Sequence, residues 1–168
     1  NTRSRGLGDV YKRQESGYAR DFVKMLKIIM PQCRDKGIKL IANAAGVNAP
    51  ACLAATKQAL SEIGLQGVRI GIVEGDDILD KLDVLTNAGE ELVNMDTGAA
   101  LTSVKNDIIS ANVYIGAASI VEALQQEADI VITGRASDPS LAVAPLVYEF
   151  GWSFEDFDRI ASATVLGL

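Results

Sequence analysis

Apolar positions along this chain follow two patterns that alternate. Some stretches repeat every three or four residues, as one face of an α-helix does. Others are short unbroken apolar runs bounded by glycine, as buried strands are. Residues 18–36 are of the first kind. Phe22, Met25, Leu26, Ile29 and Cys33 share a face, Arg20, Lys24, Lys27 and Arg34 fall mostly elsewhere, and Gly37 is placed to stop the helix. Ile38–Ala42 is of the second kind and predicts a strand. Asn48 suits the cap of the next helix, with Pro50 in its first turn, and Gly64 ends that helix after Ile63. Val68–Val73 reads as the second strand. Glu74-Gly75-Asp76-Asp77 follows, and Asp77 or Asp76 is expected to cap a helix through Leu85, closed off by Gly89. Residues 92–103 are weakly patterned and read as loop, whereas Asp107–Tyr114 predicts a further strand ending at Gly116. A helix over 118–126 leads into a strand at Asp129–Thr133, Pro139 opens a helix to Phe150, and the last helix is expected from Phe154.

Strands alternating with helices of this length imply βαβ units. The predicted fold class is α/β: an open, mainly parallel sheet with helices on both faces, a Rossmann-like three-layer sandwich with right-handed crossovers. Leu168 falls within an apolar helical pattern, so the domain is expected to be truncated at both ends, with residues 15–168 a partial α/β domain. Residues 1–14 stand apart. They lack periodicity, and Gly6–Gln14 resembles translated sequencing-adapter sequence, so the segment is expected to be non-native.

Charge and composition narrow the function classes. The chain carries 16 basic and 22 acidic residues and no histidine, a net charge of −6. Removing Arg3, Arg5, Lys12, Arg13 and Asp9 with the first segment takes this to −9. Such a body argues against nucleic acid as a partner, because phosphate binding needs clustered Lys and Arg. Without histidine, Ser-His-Asp and Cys-His catalysis and His-based zinc sites are excluded within this chain. Acid–base work then falls to Asp, Glu, Lys or Tyr. Cys33 and Cys52 lie far apart on helical patterns and read as buried free thiols. The longest uncharged run, Leu40–Thr56, contains Asn43, Gly46, Asn48 and Pro50, so no membrane span is expected and a cytoplasmic location follows by default.

In an open parallel sheet, ligands bind in the crevice beyond the carboxyl ends of the strands. Four segments read as lying there. Asn43-Ala44-Ala45-Gly46-Val47-Asn48 passes from a strand into a helix, where free backbone N–H groups face an anion and Gly46 permits close approach; a tight turn plus helix cap is the simpler reading. Glu74, Asp76 and Asp77 are three carboxylates after one strand. They suit proton transfer, or Mg²⁺ or Mn²⁺ held by Asp76 or Asp77, against a capped and solvated turn. Asn112 and Tyr114 alternate with apolar residues and so share a strand face, Tyr114 either donating to a substrate or packed with a satisfied hydroxyl. Arg135 is the one basic side chain at these four strand ends. It suits a two-point clamp on a carboxylate or phosphate, while Asp138 either joins the ligand site, pairs with Arg135 or caps the helix at Pro139.

Several segments then coincide with one family. Gly17-Tyr-Ala-Arg-Asp-Phe22, Val73-Glu-Gly-Asp-Asp77, Asp96-Thr-Gly98, Ala111-Asn-Val-Tyr-Ile-Gly116, Ile132-Thr-Gly-Arg-Ala-Ser-Asp138, Ala144-Pro-Leu146 and Glu149-Phe-Gly-Trp152 occur in order. Together they resemble the acyclic terpene utilisation AtuA-type family over residues 17–168. Members are longer at both ends, so the resemblance makes this chain an internal piece of an N-terminal domain. Three positions depart from the family pattern. Ala45-Gly46 stands for a double glycine, Ala49 for a proline and Leu168 for a histidine. The resemblance implies breakdown of acyclic terpenes such as citronellol and geraniol through branched acyl-CoA intermediates. The expected activity is therefore a lyase or hydratase step on a branched acyl-CoA or related carboxylate. In it Arg135 would hold the anionic group, Glu74, Asp76 or Asp77 would move protons, and Asn43, Gly46, Asn48, Asn112, Tyr114 and Asp138 would surround the substrate. The competing expectation is a non-catalytic subunit of an acyl-CoA carboxylase pathway; a homo-oligomer is compatible with either.

Overall fold

Helix α1 (Arg20–Asp35) forms where the apolar repeat runs, and Phe22, Leu26, Met30 and Cys33 are buried along one of its faces. Gly37 follows with φ +66°, and the Ile38 N–H reaches back to the Cys33 carbonyl, the hydrogen bond that closes a helix through a left-handed residue. These coordinates are a computed structural model describing residues 17–168. The segment 1–14, read as non-native, lies outside the described residues.

Strand β1 (Leu40–Ala42) leads to helix α2 (Ala49–Glu62), whose first turn is capped by Asn48, Oδ1 accepting the Ala51 N–H at 3.1 Å. Strand β2 (Ile70–Val73) follows. A 3₁₀ turn (Leu79–Lys81) and short helix α3 (Leu82–Asn87) come next, then two more 3₁₀ turns at Leu101–Ser103 and Lys105–Asp107. Helix α4 (Ala117–Gln125), strand β3 (Ile130–Thr133), helix α5 (Ser140–Phe150) and helix α6 (Phe157–Leu166) complete the described chain.

The three strands form one parallel sheet in the order β1-β3-β2. Leu40, Ile41 and Ala42 pair with Ile130, Val131 and Ile132, and Ile70 through Val73 pair with Ile130 through Thr133. β3 is central and buried throughout, which is why it reads as an unbroken apolar run; β1 and β2 are half-buried. Alternate strand residues feed two cores. Leu40, Ala42, Ile70, Ile72, Ile130 and Ile132 pack with α1 and α2. Ile41, Val73 and Val131 pack with α4, α5 and α6. The path from β1 to β2 crosses β3 one way, and the path from β2 to β3 returns. Crossovers of one hand in opposite directions put their helices on opposite faces, as α2 and α4 are. At the surface between α1 and α2, Lys27 donates to Glu62 and, with a hydrogen bond from Gln58, holds that carboxyl below its usual range.

Three predicted elements differ. Asp107–Tyr114 is not a strand. Asp107 ends a 3₁₀ turn, and the rest makes single bridges only, Asn112 antiparallel to Asp77 and Ile115 parallel to Ala136. Its alternation reflects polar side chains used at the sheet's rim, with no adjoining strand to extend the pairing. The last helix starts at Phe157 and not Phe154, because Asp156 caps it through the Arg159 N–H while Ser153 takes up the Glu155 N–H in a preceding turn. The helix expected straight after Asp77 is likewise shorter: Asp77 Oδ1 accepts the Leu79 N–H and begins the 3₁₀ turn.

Candidate functional site at the carboxyl rim of the sheet

Because Val73 pairs with Thr133, and Ala42 with Ile132, the strands finish on the same rim. The loops that leave them meet there. Asn43, Gly46, Tyr114, Gly134, Arg135, Ala136 and Asp138 line one cavity of about 200 Å³. Three of the four segments singled out in the sequence therefore converge, each contributing a polar side chain.

Arg135 leaves β3 one residue after Gly134. Its guanidinium Nη2 donates to the Tyr114 hydroxyl at 2.7 Å, with Cζ 5.2 Å from the centre of the same ring. No described carboxylate lies within ion-pairing distance of it. The guanidinium thus faces the cavity with its charge unneutralised and spare donors, the condition for a two-point grip on an anion. Tyr114 is 64% exposed. Its oxygen accepts from Arg135, which leaves the phenolic O–H as a donor. Asp138 neither pairs with Arg135 nor caps helix α5. Instead the hydroxyls of Ser137 and Ser140 bond to each other at that helix start, and the Asp138 carboxylate is left on the cavity wall. Asn43 is exposed at the mouth.

Gly46 lines the cavity and also serves the packing of the chain. It sits at φ +58°, and a Cβ there would stand 2.3 Å from the Gly17 carbonyl oxygen. The close approach it permits is that of the chain entering α1, fastened by Val47 N–H to Gly17 O and Ala19 N–H to Ala44 O, both 2.9 Å. Asn48 is occupied as the α2 cap and does not line the cavity. Cys52, further along α2, is fully buried. Burial pushes its thiol up, against a smaller opposing pull from Thr56, whose hydroxyl makes no well-formed hydrogen bond.

The three carboxylates after β2 go separate ways. Glu74 is exposed and faces a groove of about 500 Å³ that runs along β2 beside α4. Asp77 is spent on the 3₁₀ turn. Asp76 is 6% exposed and points under β3's exit loop. One oxygen, Oδ2, accepts the Arg135 N–H at 2.8 Å and the Asn112 side-chain amide at 3.1 Å. Its main-chain carbonyl accepts the Val113 N–H at 2.8 Å. Among the described residues no three His, Cys, Asp or Glu side chains gather as a metal-binding group. Asn112 is therefore turned to Asp76 and Tyr114 to Arg135, a division that a shared strand face does not anticipate.

Gly134 is the residue that sequence reasoning passed over. A Cβ there would lie 2.0 Å from Asp76 Oδ1 and 2.4 Å from Cγ. Its signal in the sequence is a glycine at the end of a buried strand, which says that something comes close without saying what.

The family described as acyclic terpene utilisation family protein AtuA matches residues 4–168. No curated protein and no solved structure matches the chain.

Proposed function

The chain belongs to the acyclic terpene utilisation family AtuA, and on that premise we propose that it is part of an enzyme acting on a branched acyl-CoA or related carboxylate of acyclic terpene breakdown. The observation that carries the reading is Arg135, unneutralised, on a cavity that also holds Tyr114, Asn43 and Asp138. A cavity of about 200 Å³ is below the usual ~300–1,000 Å³ of a whole small-molecule site. It fits the anionic or carbonyl head of a ligand whose branched tail lies outside.

A lyase or hydratase step on such a substrate needs one group to hold and polarise the carbonyl and another to take or give a proton. Arg135 and the Tyr114 O–H supply the first. For the second, Asp138 is the carboxylate on the cavity wall, and the proton-transfer role passes to it from Glu74, Asp76 and Asp77. Asn43 orients the substrate at the mouth. The same reading takes the domain as a Rossmann-like sandwich, supported by the parallel order β1-β3-β2 and helices against both faces. It places the enzyme in the cytoplasm with its CoA thioesters; no helix among the described residues is long and apolar enough to cross a membrane.

The second reading is a non-catalytic subunit of an acyl-CoA carboxylase pathway. It draws on exposed apolar side chains of α6, Phe157, Val165 and Leu166, and on Glu74 facing away from the cavity. Titration calorimetry with citronellate and citronellyl-CoA separates the two. A charge-assisted grip is worth about 1.5–3 kcal/mol, so Arg135→Ala should weaken binding roughly 10- to 100-fold. Equal affinity in wild type and variant would remove Arg135 from the site and the enzyme reading with it.

A further inference from the structure

We propose that Asp76 is the positioning residue of the Arg135 site, holding both Arg135 and Tyr114 from beneath without touching the ligand. This rests on the anion-site reading above.

The geometry is specific. A carboxylate 6% exposed is costly unless its oxygens are paired, and both partners of its Oδ2 belong to loops that build the cavity. The Arg135 N–H fixes the backbone from which the guanidinium springs. The Asn112 amide and the Val113 N–H, the latter bonded to the Asp76 carbonyl, fix the two residues directly before Tyr114. A single residue in the loop after β2 therefore ties together the two segments of the Arg135–Tyr114 contact, alongside the Ile115–Ala136 bridge, in which the Ile115 N–H donates to the Arg135 carbonyl at 2.9 Å. Gly134 makes the arrangement sterically admissible, because any side chain there would occupy the carboxylate's place. Asp76 does not line the cavity, so its contribution passes through Arg135 and Tyr114.

Charge and position can be told apart. If the Asp76 charge mattered to the ligand directly, Asp76→Asn would tighten binding of an anion. If Asp76 acts as a shared acceptor, Asn serves as well, since its amide oxygen at the Oδ2 position still accepts both N–H groups. The test is amide hydrogen exchange on the 168-residue protein, read together with citronellate affinity, for wild type, Asp76→Asn, Asp76→Ala and Arg135→Ala. Val131 in central β3 reports whether the fold persists. The expected result is that Asp76→Ala speeds exchange at Arg135 and Val113 at least tenfold with Val131 unchanged, and weakens citronellate binding about as much as Arg135→Ala. Asp76→Asn should keep both within about threefold of wild type. Protection at Arg135 that survives Asp76→Ala overturns the proposal, as does Asp76→Asn binding citronellate tenfold more tightly. If Asp76→Ala unfolds the chain, Asp76→Asn decides alone: wild-type exchange supports the role, and lost protection at Arg135 refutes it. If Arg135→Ala leaves citronellate binding unchanged, the anion-site reading fails, while the exchange data still decide whether Asp76 holds the loops.

Discussion

Glycine 46 shows how a residue's chemistry is legible while its partner is not. The sequence marks it as a place of close approach, and the structure shows one such approach, that of the Gly17 carbonyl, at a glycine that also lines the cavity. Two penalties would meet in Gly46→Ala. The left-handed backbone costs a side chain about 1–2 kcal/mol, and a Cβ overlapping backbone that cannot swing away costs a further ~1–3 kcal/mol. Gly64 has φ +72° with open space around it, so Gly64→Ala carries the first penalty alone. Urea unfolding should place Gly46→Ala about 2–5 kcal/mol below wild type and Gly64→Ala about 1–2 kcal/mol below. Equal losses would mean that the Gly17 contact is not a fixed part of the fold. Asp76 teaches the same lesson. Three neighbouring carboxylates read as a cluster, but they separate: Asp76 is buried against the Arg135 loop, Asp77 begins the 3₁₀ turn and Glu74 is exposed.

At the scale of elements, period and punctuation carried most of the reading. The strand at 130–133 and the helices beginning at 20, 49, 117 and 140 stand where apolar spacing, Asn48 and the glycines put them. Strand pairing carries no such local mark. The residues 107–114 alternate as a strand does, yet whether they join a sheet depends on a neighbour with free hydrogen-bonding groups at the right height, and here only single bridges form. Helix α4 adds a packing constraint of the same non-local kind. It settles closely on β2 because Gly71 has no side chain; a Cβ there would come within 3.1 Å of the Ala123 Cβ and 3.3 Å of the Ala128 Cβ. Gly71→Val should therefore lift α4 from the sheet and lower stability by roughly 1–3 kcal/mol, despite valine's preference for strands. A melting midpoint equal to wild type would show that the α4–β2 contact has slack.

For the whole molecule, the α/β class and the parallel direction follow from the alternation of helix and strand patterns, and the site's place follows from them. What joins at that rim does not follow from any one segment. Arg135 meets Tyr114 because β2 and β3 end together, Asp76 ties their loops to the stretch before α4, and Ile115 bridges directly to the Arg135 loop. In a chain of net charge −6, Arg135 is the basic side chain on the cavity at that rim, which is why the proposed anion site is centred on it. The most direct test of this convergence is amide chemical-shift mapping of the protein as citronellate is added. The account predicts that Asn43, Gly46, Gly134, Arg135, Ala136 and Asp138 shift together and saturably, with the Gly37, Lys39 and Gly67 amides at the opposite rim unmoved. Saturable shifts centred on that opposite rim, with the Arg135 loop silent, would contradict it.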